Sequence, residues 1–318
     1  MTALMLTGLD AQNPLAFLAA LGLLRVLDDH AARQAFERPR LSFIDEGRQT
    51  PKLLTALSME EVVGVVLEDA AAQVVNPALR IAYNEAGSEV SPDASGATRD
   101  LKPSPTLART ILDRGALADR RTADLIAGFF SELVQDNNGN TKPTALHFTA
   151  GQQSFLEMVD ALGRGITAVD VNEALVGPWL NKSKLPSLSW DASVSRLYAL
   201  RAADPSKEKR GSIACANWLG VQALAFFPVN VVGRKLATAC VAGGWKDSSF
   251  TWPVWDAELL APTVASLLRV DPRRSRSEER AAQGITAVFS SKILRSDQGG
   301  YGSFCPAEVV VPKPKKQA

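Results

Sequence analysis

Close to its start the chain carries an apolar run, Leu15–Leu27, introduced by Asn13 and Pro14. Asn13 fits a helix N-cap, and Pro14 fits the first helical position, where its missing N–H costs nothing. The spacing predicts a helix over Leu15–Asp29 with apolar residues on nearly every side, which must be buried on nearly every side. Ala16, Ala19, Ala20 and Gly22 leave room for a neighbouring element to approach closely. The run is too short for a bilayer span, and Asp10 and Asn13 precede it instead of basic residues. It therefore reads as a core helix rather than a signal peptide or membrane segment.

A second apolar helix is expected over Ser212–Phe227, stopped by Pro228. Further helices are expected over Pro51–Leu57, Met59–Ala72, Thr106–Asp113, Arg121–Leu133, Asp170–Val176 and Ala257–Leu268, and from Gln152 to Gly163. Strands are expected over Leu4–Leu9, Arg40–Asp45, Ile81–Tyr83 and Phe250–Trp255, with Val229–Val232 paired to Leu236–Val241 across Gly233-Arg234. Residues 84–104, 136–144, 177–211 and 271–280 read as loops, and 284–294 as an apolar segment of mixed type. Strand and helix do not alternate regularly, so the fold class is α+β, with buried apolar helices on mostly antiparallel sheet.

At 318 residues the chain is long for one core. The organisation expected is an N-terminal α+β half, 1–140, a C-terminal α+β half, 141–306, with a basic loop, and a basic disordered tail, 307–318. Asn13 stands two residues before Leu15, and Asn217 two before Leu219. Two similar halves, or simply two buried helices, both account for that echo.

Charge separates the halves more than composition does. Residues 1–150 hold 14 Lys and Arg against 19 Asp and Glu, and residues 151–318 hold 21 against 15. A surface that meets nucleic acid is therefore expected in the second half. Its densest cations are Arg269, Arg273, Arg274, Arg276 and Arg280, followed by Lys207, Lys209 and Arg210. Arginine suits phosphate because its planar fork keeps its charge and offers paired donors. The bland alternative is a solvated loop neutralised by Glu278 and Glu279. All six tryptophans also lie late: Trp179, Trp190, Trp218, Trp245, Trp252 and Trp255. Trp218 and Trp255 are expected in the core, and Trp245, between Gly244 and Lys246, on the surface.

Chemistry-bearing motifs are sparse. His30 and His147 are the only two histidines and have no metal-spaced partners. Cys215, Cys240 and Cys305 form no CxxC pair, which suits a reducing, cytoplasmic setting. No nucleophile elbow or phosphate-binding loop occurs. An enzyme would have to use Asp191, Asp247 or Asp256, with Arg196 and Arg201 following the first. A third reading is a small-molecule pocket lined by the late tryptophans. No cofactor or metal is implied.

Five stretches, taken in order, resemble a known group. They are GLDAQNPLAFLAALGLLRVL, FTAGQQSFLEMVDAL, SLSWDASVSRLYALRAADPS, ANWLGVQALAFFPV and GGWKDSSFTWPVW. Together they are similar to proteins of type I-G (formerly I-U) CRISPR loci. The match is to the family described as an extension of the helicase–nuclease, or to the related short protein proposed to replace the Cascade large subunit. The resemblance implies a non-catalytic, cytoplasmic component of a crRNA-guided interference complex. It would bind effector subunits or the helicase–nuclease, and through them or directly crRNA or target DNA.

Overall fold

The computed structural model describes residues 1–80, 83–84, 86–91, 99–149, 153–194, 211–295 and 301–310. The N-terminal elements are β1 (Thr2–Met5), α1 (Pro14–Gln34), β2 (Arg40–Asp45), β3 (Gln49–Thr55), α2 (Met59–Val74) and α3 (Pro77–Arg80). Next come α4 (Pro105–Ala118), α5 (Arg120–Ile126), β4 (Phe130–Gln135), β5 (Thr141–Pro143), α6 (Phe155–Gly165) and α7 (Ala168–Leu175). The chain continues with α8 (Ala214–Ala223), β6 (Val229–Val232), β7 (Lys235–Thr238), β8 (Val241–Ala242) and β9 (Ser249–Trp255). It ends with β10 (Leu259–Leu260), α9 (Ala261–Leu267), α10 (Ser277–Ala282), β11 (Ile285–Arg295), β12 (Gly302–Phe304) and β13 (Glu308–Val309).

The fold is α+β, and its described strand pairs are antiparallel. Helix α1 forms as its cap predicts. The Asn13 side chain accepts from the Leu15 amide at 2.9 Å, and Pro14 opens the first turn. Every residue from Pro14 to Leu27 is buried, and so is every residue of α8. The two helices meet at Gly22. A Cβ there would stand 1.8 Å from the Leu219 carbonyl oxygen, so only glycine permits this approach.

Two larger sheets run β1-β3-β2-β10 and β12-β11-β9-β8, with β13 also on β11, and β4-β5 and β6-β7 are separate two-stranded pairs. Strand β10 comes from the second half but completes the sheet of the first. An aromatic group joins the two sheets across α1. Phe17 stacks on Trp252 with ring centres 5.7 Å apart, and Phe43 meets Trp255 edge-on at 5.0 Å. The Trp252 indole N–H donates to the Ala11 carbonyl and that of Trp255 to the Leu41 carbonyl. Buried apolar residues from 1–140 and 141–306 thus belong to one core.

Several sequence expectations are corrected. Pro51–Leu57 is not a helix but most of β3, whose burial alternates with period two. Pro51 fits there because it lies just beyond the end of β1, where its carbonyl accepts from the Leu6 amide and no strand requires its N–H. The helix expected over Arg121–Leu133 stops at Ile126. Gly128 then packs against the Leu224 carbonyl, where a Cβ would come within 2.3 Å, and the chain turns into β4. Residues 136–144 are accordingly the turn and return strand of a hairpin, with Asp136 accepting from the Asn138 amide. Part of the 271–280 loop is helical, as α10. The strand expectation at Ile81–Tyr83 falls mostly outside the described residues, with Tyr83 bridged to Glu89.

No described helix is long and apolar enough to cross a membrane.

Candidate nucleic-acid interface

Three of the five arginines at 269–280, Arg273, Arg274 and Arg276, are already engaged. The segment joining α9 to α10 turns back on itself, so its acids reach its own cations. Arg273 clamps both carboxylate oxygens of Asp271, at 2.9 and 3.0 Å. Arg274 shares that carboxylate at 3.5 Å, and Arg276 pairs with Glu279. The hydrogen bond from Arg273 holds the Asp271 carboxyl below its ordinary value, and the Arg276 backbone amide does the same for Glu279. Arg280 is buried, and Arg269 is exposed. The segment is thus a largely compensated surface. Lys207, Lys209 and Arg210 lie outside the described residues, as do Arg196 and Arg201.

The acids proposed for catalysis are spread apart along the fold. Asp191 is buried beside the start of α1. Its Oδ1 accepts from Asn13 Nδ2 at 2.7 Å, from the Ser193 amide at 2.9 Å and from the Ser193 hydroxyl at 2.7 Å. Its Oδ2 is buried without a hydrogen-bond partner. Asp247 lies in the β8–β9 loop, and Asp256 directly follows β9, both exposed. Among the described residues no three His, Cys, Asp or Glu side chains gather as metal ligands.

His147 is buried and has both a carboxylate and a hydroxyl neighbour, Asp100 Oδ1 and Thr149 Oγ1, each at 2.7 Å. Both meet the same ring nitrogen, Nε2. A proton relay needs the hydroxyl on one nitrogen and the carboxylate on the other, so this cluster cannot activate Thr149 in that way. Burial raises the Asp100 carboxyl, but the His147 hydrogen bond and charge outweigh it and leave the group below its ordinary value. Burial pushes the Cys240 thiol up to about 12 and raises Cys215 and Cys305 as well, the opposite of a poised thiolate.

The late tryptophans divide cleanly. Trp190, Trp218, Trp252 and Trp255 are fully buried, Trp179 is partly buried, and Trp245 is 60% exposed. A cleft of about 290 Å³ opens between α2, α4 and α5, with Tyr83, Ile111 and Arg114 on its wall, and no tryptophan lines it.

The feature the sequence reading missed is beneath Trp245. Along β11 the residues Phe289, Ser291 and Ile293 face inward and Lys292 outward. Arg295 falls in the inward phase, at the strand's end. Its guanidinium lies 4.1 Å from the centre of the Trp245 ring and 5.3 Å from that of Phe148. It donates to the Ala145 carbonyl at 2.5 Å and to the His147 carbonyl at 3.1 Å, while its Nε is buried without a partner. No carboxylate of the described residues pairs with it. Burial alone lowers its guanidinium to about 10, which leaves it charged at neutral pH.

The segment that receives Arg295 is itself fixed from several directions. Trp190 Nε1 donates to the Leu146 carbonyl, the Ala145 amide donates to Thr238, and Asp100 holds the His147 ring. Two further cations with no acidic partner among the described residues, Arg234 and Lys235, stand at the tip of the β6–β7 hairpin, whose two-residue turn uses Gly233 at φ 62°. In sequence, the usable signal for Arg295 was its place in the period-two series of buried β11 residues. Comparison of the chain with protein-family models, with curated proteins and with solved structures gives no match.

Proposed function

We propose that this chain is a non-catalytic subunit or accessory factor of a type I CRISPR interference complex, which binds effector subunits and contacts nucleic acid through its second half. The sequence blocks quoted above support the first part. One structural observation carries the second. Arg234, Lys235 and Arg295 lack acidic partners among the described residues, whereas the denser arginines of 269–280 largely have them. Uncompensated cations raise the local potential, and a phosphate backbone responds to that potential rather than to the count of arginines.

The reading is tested by expressing the tagged chain with a complete type I-G locus and measuring salt-dependent oligonucleotide binding by the purified protein. Effector subunits are expected to co-purify, and binding is expected to weaken as salt rises. Arg234→Glu with Lys235→Glu should weaken binding more than Arg273→Ala with Arg274→Ala and Arg276→Ala. Absence of both co-purification and low-salt binding would refute the proposal.

A further inference from the structure

We infer that Trp245 and Arg295 form a stacking platform for an unpaired nucleobase, so that the nucleic acid met by this face is single-stranded. The inference rests on the nucleic-acid reading above and adds the form of the ligand. An indole that is 60% exposed while four others in the chain are fully buried leaves a large apolar surface in water. Arg295 covers one face of that ring, so the exposure belongs to the other face and the edges.

The ring is held in place by what lies under it. The guanidinium is attached to two backbone carbonyls and backed by Phe148, giving a layered order of Trp245, Arg295 and Phe148. Phe148 in turn packs edge-on against Phe304 with ring centres 4.9 Å apart, and Gly302 lies against it so closely that a Cβ would come within 2.5 Å of its ring. A platform that is already rigid loses little conformational freedom when a base settles on it.

Its charge also selects the ligand. The stack carries one positive charge with no carboxylate among the described residues to cancel it, and Lys292 is exposed on the outer side of the same strand. A base attached to a phosphate chain satisfies both features at once, by stacking on the ring and by placing anions in the field of the cations. A base pair within a duplex offers its edges but not its flat face, so a duplex cannot use the indole in this way.

The test uses the full chain with fluorescein-labelled (dT)12, (rU)12 and a 12-base-pair duplex as probes, followed by anisotropy. Trp245→Ala is expected to weaken single-strand binding about tenfold and duplex binding less than about twofold. Trp245→Phe, which keeps an aromatic face, should recover most of the loss. Loss with either single strand carries the inference. Equal binding of strand and duplex that is unchanged in Trp245→Ala would overturn the platform while leaving the wider reading intact. Failure of the wild-type chain to bind any probe would overturn the platform and the nucleic-acid part of the wider reading, leaving effector-subunit capture to decide the rest. Loss of effector-subunit capture in Trp245→Ala, with oligonucleotide binding unchanged, would overturn the platform in favour of a protein contact.

Discussion

Two arginines drawn away from solvent, Arg25 buried and Arg295 partly so, meet opposite surroundings. Arg25, on α1, donates to the backbone carbonyls of Gln222 and Arg121 and to the Gln222 side chain. Beside it Arg121 pairs with Asp29 at 2.8 Å and with Asp69 at 2.5 Å, and the exposed Arg33 shares Asp29 at 3.0 Å. Burial and the charge of Arg121 lower the Arg25 guanidinium to about 10, with Asp69 and Asp29 pulling the other way. Arg295 is lowered to about 10 as well, by burial alone. The first arrangement braces α1, α2, α5 and α8 against one another with carboxylates set among its cations. The second is roofed by an exposed indole and keeps its charge. Desolvated arginines thus serve the fold where acids match them and present a field where none do.

The comparison breaks first at its balanced side. Asp69→Ala removes a carboxylate whose side chain is only 2% exposed and leaves Arg121 and Arg25 facing each other. A loss of about 3–5 kcal/mol is expected, read from the urea midpoint. A loss under about 1 kcal/mol would mean that the brace contributes little.

Gly22→Ala tests the same region without touching charge. The added methyl meets the Leu219 carbonyl and pushes α8, which carries Gln222, away from Arg25. Overpacking of this kind costs about 1–3 kcal/mol, and the thermal midpoint should fall accordingly. Arg295→Ala addresses the unbalanced side. It frees the Ala145 and His147 carbonyls, with an expected stability loss of about 1–2 kcal/mol. Binding of single strands should fall more than stability does, and Arg295→Lys should restore charge without the two-carbonyl fork.

Asp100→Asn sharpens the comparison through pH, because His147 both pairs with Asp100 and receives Arg295 through its carbonyl. The folded carboxyl sits below its ordinary value of 3.8. Its stabilisation is therefore present above that value and is lost as pH falls through the lowered one. The stability gap between wild type and Asp100→Asn, open at pH 6, should close on acidification below 3.8. A gap that widens with acid would contradict the assignment. The smallest effect is expected from Arg273→Ala with Arg274→Ala and Arg276→Ala, which should leave the thermal midpoint within about 2 °C because these pairs are exposed.

The helical core was largely legible in the sequence. Asn13 and Pro14 marked the start of α1, and the unbroken apolar character of Leu15–Leu27 and of Ser212–Phe227 announced burial on all sides. The surface hairpin at Gly233-Arg234 and the exposure of Trp245 were equally readable, as was the burial of Trp218 and Trp255. Pro51–Leu57 was misread because its alternation is short and contains a proline, and only pairing with β2 and β1 makes it a strand. The candidate site was half legible. Trp245 stood out by its neighbours, whereas Arg295 was hidden at the end of an apolar segment.

Capping, apolar periodicity and turn chemistry act between residues a few positions apart, so the sequence by itself determined the buried helices, the α+β class and where positive charge accumulates. Whether a given charge is cancelled depends on which carboxylate folding brings to within about 4 Å of it. That was decided only by tertiary structure. It brought Asp69 to Arg121 and laid Arg295 beneath Trp245 with no acid of the described residues paired to it.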